Sequence, residues 1–142
     1  MPKRQKGVSA KRLEAEMHEM LCHVLIERRN LPPFKNIKPL PGDTAYLKAI
    51  AGASAIFFTH GRQYEGQWWK DKDRAFAAAF ELKRKGVRMY NWAKHAAVYG
   101  EPFEYDKPRS SALDALNGAA FLAASIGAAI EAREKANANR DH

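Results

Sequence analysis

Two carboxylates in this chain have the type and placement that phosphodiester chemistry requires. Asp43 follows a Pro-Gly turn, and Glu65 lies 22 positions later, followed by Gln67. Two carboxylates that reach one Mg²⁺ ion, with a cation nearby, are what metal-dependent phosphodiesterases use. Asp43, Glu65 and Gln67 are therefore the candidate catalytic residues, and Mg²⁺ is the only cofactor that such chemistry would need.

A second set of side chains is basic. The chain carries 24 Lys and Arg against 16 Asp and Glu, and residues 1–12 and 83–95 each hold five bases and no acid. Such clusters favour a polyanionic partner, and we expect duplex DNA bound through phosphate contacts, with Trp69 available for base stacking. The predicted nucleic-acid-binding residues are Arg62, Trp69, Lys70, Lys72, Arg74, Lys83, Arg84, Lys85, Arg88 and Lys94.

The remaining candidates predict no metal or nucleophile site. His18 and His23 are five positions apart, so they face different directions on a helix and do not form the four-apart pair typical of zinc. Together with Glu14, Glu19 and Glu27, they are expected to form a solvated polar face. Cys22 lies among apolar residues, and as a single cysteine it fits a reducing compartment. The start of the chain lacks the apolar core of a signal peptide, and the sequence predicts a cytoplasmic protein without membrane contact.

These residues need elements to position them. Residues 1–9 are predicted to form a flexible basic arm, 10–136 a single domain and 137–142 a frayed tail. Ser9 is expected to cap a helix that runs to Arg29. Residues 31–42 contain four prolines and predict an extended connector.

The central part of the chain has the pattern of a β-meander followed by helices. Three strands are predicted at Thr44–Ile50, Ala55–His60 and Arg62–Trp69, the second because branched and aromatic residues fill a short run. Asp71 or Asp73 then caps a helix to Lys85, with Phe76 and Phe80 on its inward face. Gly86 is predicted as the left-handed residue that ends this helix, and residues 91–99 as helical. The predicted fold is α+β, with a small antiparallel sheet of three or four strands packed by helices, and with long N- and C-terminal helices.

The last predicted helix runs from Ser111 to Ala136, with Ser111 and Asp114 as a capping box. Residues 115–130 are sixteen consecutive residues without a charge, fewer than the ~20 that span a bilayer. The run predicts a buried helix or a homodimer interface through Ser111–Ala136, since its small residues permit close helix approach.

This order of elements resembles the PD-(D/E)xK nuclease superfamily, and within it the small replication-repair nuclease module common in phages. The residues that carry the resemblance are Glu14, Pro41-Gly42-Asp43, Ala55–His60, Arg74-Ala75-Phe76 and Gly86-Val87. The resemblance implies a magnesium-dependent nuclease that uses Asp43 and Glu65. Gln67 would replace the family's lysine, and glutamine supplies no positive charge, which implies weakened catalysis.

A part of the same region is similar to the AP2-type and integrase-arm DNA-binding modules. In these, three strands lie in the major groove and a helix backs them. The residues that match are Gly66, Trp68, Ala75, Ala79 and Phe80. The two resemblances and the charge together predict a small nucleic-acid-binding protein of phage or mobile-element type that is not catalytic.

Two alternatives stay open. The first is the magnesium-dependent nuclease. The second is a phage inhibitor that binds a host defence complex, for example of CRISPR type, through exposed aromatic residues (Tyr64, Trp69 and Tyr99) with a basic rim.

Overall fold

The structure is a computed structural model that describes residues 8–27, 32–60, 67–100 and 108–140, and every regular element in these ranges is helical. The elements are α1 (Ala10–Cys22), a π-helical turn (His23–Glu27), a 3-10 turn (Pro32–Phe34), α2 (Asp43–Thr59), α3 (Gln67–Lys70), α4 (Arg74–Tyr99) and α5 (Pro108–Arg140). The described ranges contain no strand, so the predicted α+β fold with an antiparallel sheet is wrong. The fold is all-α, and the chain forms two compact units, Met1–Glu65 and Gly66–His142.

The first unit contains α1 and α2, which pack against each other. The predicted cap of α1 is confirmed, because Ser9 is extended (φ −65, ψ 151) and its side chain accepts a hydrogen bond from the Arg12 amide. Leu13, Met17 and Leu21 follow helical spacing and are half-buried. His18 Nε2 lies 2.9 Å from the carbonyl oxygen of Thr44, so a side chain of α1 ties directly to the first turn of α2. Because a carbonyl only accepts, Nε2 carries the proton.

Helix α2 replaces two of the predicted strands. Thr44–Ile50, the loop after it and Ala55–His60 were predicted as a hairpin, whereas the chain is one helix from Asp43 to Thr59. Most of its buried side chains are small: Ala51, Ala53 and Ala55 are nearly inaccessible to solvent, and Leu47 is the one large apolar side chain buried beside them. Small side chains let neighbouring backbone approach closely, and this packing outweighs the strand preference of the branched and aromatic residues near the end of the helix.

The start of α2 explains the conformation of the turn before it. Gly42 has φ 93, a left-handed conformation that favours glycine, and precedes the first helical residue. The Asp43 carboxylate accepts a hydrogen bond of 2.8 Å from the amide of Leu40. The Asp43 side chain therefore stabilises the turn before α2, and its negative charge at the N-terminus of the helix also interacts favourably with the helix dipole.

The second unit contains α3, α4 and α5. The third predicted strand is also wrong in its described part, because Gln67–Lys70 is the helical turn α3, while residues 61–66 lie outside the described ranges. Helix α4 begins at Arg74 after Asp73, and the helical prediction for residues 91–99 is confirmed. Gly86 does not end the helix as predicted. The left-handed residue after the last turn is Gly100, with φ 77, so α4 runs for 26 residues.

Helix α5 runs antiparallel to α4 and packs along it. At Gly118 an added Cβ would lie 3.9 Å from the Ala78 carbonyl oxygen and 3.9 Å from Leu82 Cβ, so the two helices approach closely there. Ser125 is buried, and its hydroxyl donates to the carbonyl of Phe121. The described part of α5 begins at Pro108, so the helix already includes Ser111, which was predicted to cap it.

Helix α5 also meets the length and composition criteria of a membrane-spanning helix. Among the described helices, α5 alone is long and apolar enough to cross a membrane by length and composition, with a mean hydropathy of 1.5 in its most apolar window. The core helix of a soluble protein passes the same criteria.

Candidate nucleic-acid interface

The positive charge of the described residues is concentrated on α3 and α4. Residues 67–100 carry eight Lys and Arg against three Asp and Glu. By contrast, residues 8–27 and 32–60 carry five of each, and α5 carries four against three. The described basic excess is therefore a property of one stretch of the second unit, which is where the sequence placed its larger set of binding residues.

Four of the predicted binding residues lie on exposed parts of α4: Lys83, Arg84, Arg88 and Lys94. The half-buried and buried positions, among them Ala78, Leu82 and Trp92, follow helical spacing on another face. At 1.5 Å per residue, Lys83 and Lys94 are about 16 Å apart along the helix axis. A duplex presents one negative charge per about 1.7 Å of its axis, so a length of about 16 Å corresponds to several phosphates.

Lys85 differs from its neighbours. Its ammonium lies 3.4 Å from the Asp114 carboxylate of α5, and its side chain is only 19% exposed. This lysine joins two helices and is not available as a phosphate contact. The sequence grouped it with Lys83 and Arg84 because nothing in the local pattern shows that α5 places an acid beside it.

Arg84 has an acidic neighbour on its own helix. Its guanidinium donates to the Glu81 carboxylate at 2.8 Å, and both side chains are about half exposed. This hydrogen bond, followed by the positive charges of Arg84 and Lys85, lowers the pKa of Glu81 below its usual value. Glu81 is the single acid of α4, so it locally opposes an approaching polyanion.

The junction between α3 and α4 holds four more of the predicted binding residues: Trp69, Lys70, Lys72 and Arg74. The Arg74 guanidinium lies 3.8 Å above the Trp69 ring and also donates to the Trp69 carbonyl. Trp69 is 44% exposed, whereas Trp68 stacks on Phe121 of α5 with ring centroids 4.5 Å apart. One tryptophan therefore packs between helices and the other stays at the surface.

An open cleft of about 360 Å³ lies beside this junction. The cleft is lined by residues of the junction, with Ala75 of α4 and with Ser125 and Ala129 of α5; the junction residues are Trp69, Lys70, Asp71, Lys72 and Arg74. Three cationic side chains against the single carboxylate of Asp71, with the Trp69 ring under the Arg74 guanidinium, suit an anionic ligand that carries a flat group. The residues of the cleft therefore directly precede, in the sequence, the helix that carries the exposed basic residues.

The three catalytic candidates belong to different parts of the chain. Asp43 belongs to the start of α2, Gln67 opens α3, and Glu65 lies outside the described residues, as does Arg62. The described residues contain no group of three His, Cys, Asp or Glu side chains placed to hold a metal ion. The hairpin expected to bring Asp43 and Glu65 together is replaced by α2 over its described length, so the geometry gives the nuclease alternative no support.

Two phenylalanines of α4 that were predicted to be buried are exposed in the structure. Phe76 and Phe80 were predicted on the inward face of α4, but they are 74% and 57% exposed. Val87 and Val98 are exposed as well. The signal was present in the sequence, because these four residues share one face once the helix continues through Gly86. Ending the helix at Gly86 concealed it.

A comparison of the chain with known protein families, with curated proteins and with solved structures finds no match.

Proposed function

We propose that this protein binds nucleic acid through the exposed lysines and arginines of α4 and through the adjoining junction with α3. The observation that carries the proposal is the concentration of the described positive excess on this stretch, with Lys83, Arg84, Arg88 and Lys94 exposed. Lys85 is left out because of its contact with Asp114. Phosphate neutralisation supplies most of non-specific affinity for nucleic acid, so binding of this kind needs no catalytic group.

The same proposal makes a quantitative statement about salt. The four exposed basic residues of α4, together with Lys70 and Lys72, give up to about six phosphate contacts. For a duplex, each contact contributes about −0.9 to the slope of log affinity against log salt concentration. We therefore expect a slope of up to about −5. A cytoplasmic location goes with this proposal, as nucleic acid and reduced thiols such as that of Cys22 are both found there.

The test is fluorescence anisotropy of a labelled random duplex at low and at near-physiological salt. Lys83→Glu with Arg84→Glu should weaken binding about a hundredfold or more, because two contacts become two repulsions. The matched control is Lys35→Glu with Lys38→Glu, which changes net charge equally at exposed positions of the first unit. We expect a change of about threefold or less for the control.

Two results would overturn the proposal. One is the absence of duplex binding even at low salt. The other is an equal loss in both double variants, since binding would then follow net charge rather than the face of α4.

The protein-partner and dimer predictions stay predictions. Of the aromatic residues expected to contact a host defence complex, Trp69 and Tyr99 are exposed, and Tyr64 lies outside the described residues. In the segment expected to form a homodimer, Ser111–Ala136, Ala120 and Ala124 are exposed. Light scattering after gel filtration would decide the oligomeric state.

A further inference from the structure

An apolar stripe runs along the exposed side of α4, and phosphate binding does not account for it. The stripe consists of Phe76, Phe80, Val87 and Val98, which are 74%, 57%, 55% and 65% exposed. Separations of four, seven and eleven residues keep these positions within about 40° around the helix axis. Large apolar side chains that are exposed on one side of a helix mark an interaction surface.

The charges around the stripe decide which occupant fits. Lys94 lies within the stripe, and Lys83, Arg84 and Arg88 lie beside it on exposed positions. Two copies of this face would bring these cations together, and the only acid of α4, Glu81, is already paired with Arg84. Like-charge repulsion therefore opposes self-association through this face. A surface that is apolar beneath a layer of negative charge complements it, and a bilayer with anionic lipids has this arrangement.

The apolar character of α5 allows two modes of membrane binding: α5 could cross the bilayer, or α4 could lie on its surface. If α5 crossed the bilayer, it would have to leave α4 and give up the stacking of Trp68 on Phe121 and the Lys85–Asp114 ion pair. A charged Asp114 near the apolar run would add a further cost. If α4 instead lies flat on the surface, every one of these contacts is retained.

We propose that α4 lies in the interface of a membrane that contains anionic lipids, with the helix pair α4–α5 intact. Phe76, Phe80, Val87 and Val98 contact the boundary of the acyl chains, and the neighbouring lysines and arginines contact the headgroup phosphates. This activity goes beyond the proposed nucleic-acid binding but shares Lys83 and Arg84 with it. Duplex DNA and anionic vesicles should therefore compete for the protein.

The test is co-sedimentation of the full chain with vesicles of phosphatidylcholine alone or mixed with phosphatidylglycerol. Phe76→Ser with Phe80→Ser should weaken binding to the mixed vesicles about tenfold or more, as it removes two exposed rings from the stripe. The matched control is Met20→Ser with Tyr46→Ser, which removes two equally exposed apolar side chains from the first unit. We expect the control to bind as the unchanged protein does. Circular dichroism verifies that each variant keeps its helices.

The outcomes separate this inference from the nucleic-acid proposal. The Phe76/Phe80 variant should retain duplex affinity, whereas Lys83→Glu with Arg84→Glu should lose both ligands. The inference would be overturned if the unchanged protein sedimented equally with neutral and anionic vesicles, or if the Met20/Tyr46 control lost as much vesicle binding as the Phe76/Phe80 variant. It would also be overturned if Lys83→Glu with Arg84→Glu lost duplex affinity but kept its vesicle binding. An alkaline carbonate wash should release the protein. Retention would show that a segment spans the bilayer, and would overturn the interfacial mode.

Discussion

The ammonium group of Lys85 lies 3.4 Å from the carboxylate of Asp114, and this ion pair connects α4 to α5. Lys83 and Arg84, next to it in sequence, are exposed on another face of the same helix. A single basic run in the sequence thus divides into one residue that joins two helices and others that are open to a ligand. The division follows from the 100° turn per residue of an α-helix.

Lys85→Ala should therefore lower the stability of the protein, whereas Lys83→Ala should lower its affinity for a duplex. We expect Lys85→Ala to lower the free energy of unfolding by about 1 kcal/mol, through the ion pair and the packed stem, with duplex affinity nearly unchanged. Lys83→Ala should weaken duplex binding severalfold at low salt and leave stability within about 0.5 kcal/mol. Urea denaturation and anisotropy of the same samples measure both. If Lys85→Ala weakens duplex binding as much as Lys83→Ala does, Lys85 is a phosphate contact after all.

Glu81→Gln should increase the affinity for nucleic acid. The change removes the single acid of α4 and releases Arg84 from its ion pair. We expect duplex binding to tighten about threefold at low salt, and the gain to shrink as salt is raised.

The pH dependence of that gain follows from the pKa of Glu81, which the Arg84 hydrogen bond lowers. Because a lowered pKa keeps the carboxylate ionised, the difference between the variant and the unchanged protein should stay constant from about pH 8 down to about pH 5. It should disappear only as the pH falls below the usual carboxylate range, where Glu81 becomes protonated. The small stabilising effect of this exposed pair is lost in the same direction, on acidification. A gain that already declines at neutral pH would contradict this assignment.

Gly86→Ala should stabilise the protein. Gly86 lies inside α4, and apart from the neighbouring backbone of its own helix nothing lies within 4 Å of the position that a Cβ would occupy, so alanine gains helix propensity without a clash. We expect an increase of about 0.5–1 kcal/mol in the free energy of unfolding. The control is Gly100→Ala, where φ 77 makes any side chain strained and a loss of about 1 kcal/mol is expected. Destabilisation by Gly86→Ala would instead support a helix that ends at this glycine.

Gly118 tests the closeness of α4 and α5. The 3.9 Å distances from a Cβ at this position to Ala78 and Leu82 are ordinary contacts, so Gly118→Ala should be tolerated or mildly stabilising. Gly118→Leu has no room beside Leu82, and we expect it to cost about 2 kcal/mol or more. Thermal unfolding monitored by circular dichroism compares the two. Equal stability of the two variants would show that the helices do not approach closely at this point.

Trp68 and Trp69 should differ in the same way as Lys85 and Lys83. Trp68→Ala removes the stacking on Phe121 and should lower stability by about 2 kcal/mol. Trp69→Ala should change stability by less than about 1 kcal/mol, because its ring is partly exposed and contacts Arg74. A fluorescence quencher in solution should reach Trp69 before Trp68, and equal quenching of the two would contradict the packing.

Much of the helical structure was predictable because it depends on local signals. Ser9 accepts a hydrogen bond from a nearby amide, so its capping role is contained in a few residues. The pattern of α1 and the continuity of residues 91–99 depend on spacing along one helix. Gly86, in contrast, has no local feature that distinguishes a helix end from a helix interior, and the prediction chose the wrong one.

The sequence by itself determined the positive charge, the cap of α1 and the placement of the basic residues on one stretch, since composition and neighbouring residues settle these properties. Tertiary structure decided the rest. The segment from Thr44 to His60 has strand-forming residues, yet its small side chains pack as one helix, because burial outweighs a propensity difference of about 1 kcal/mol. Which bases are open to a ligand also depended on a distant partner, as Asp114 lies 29 residues from Lys85 and no local pattern predicts their contact.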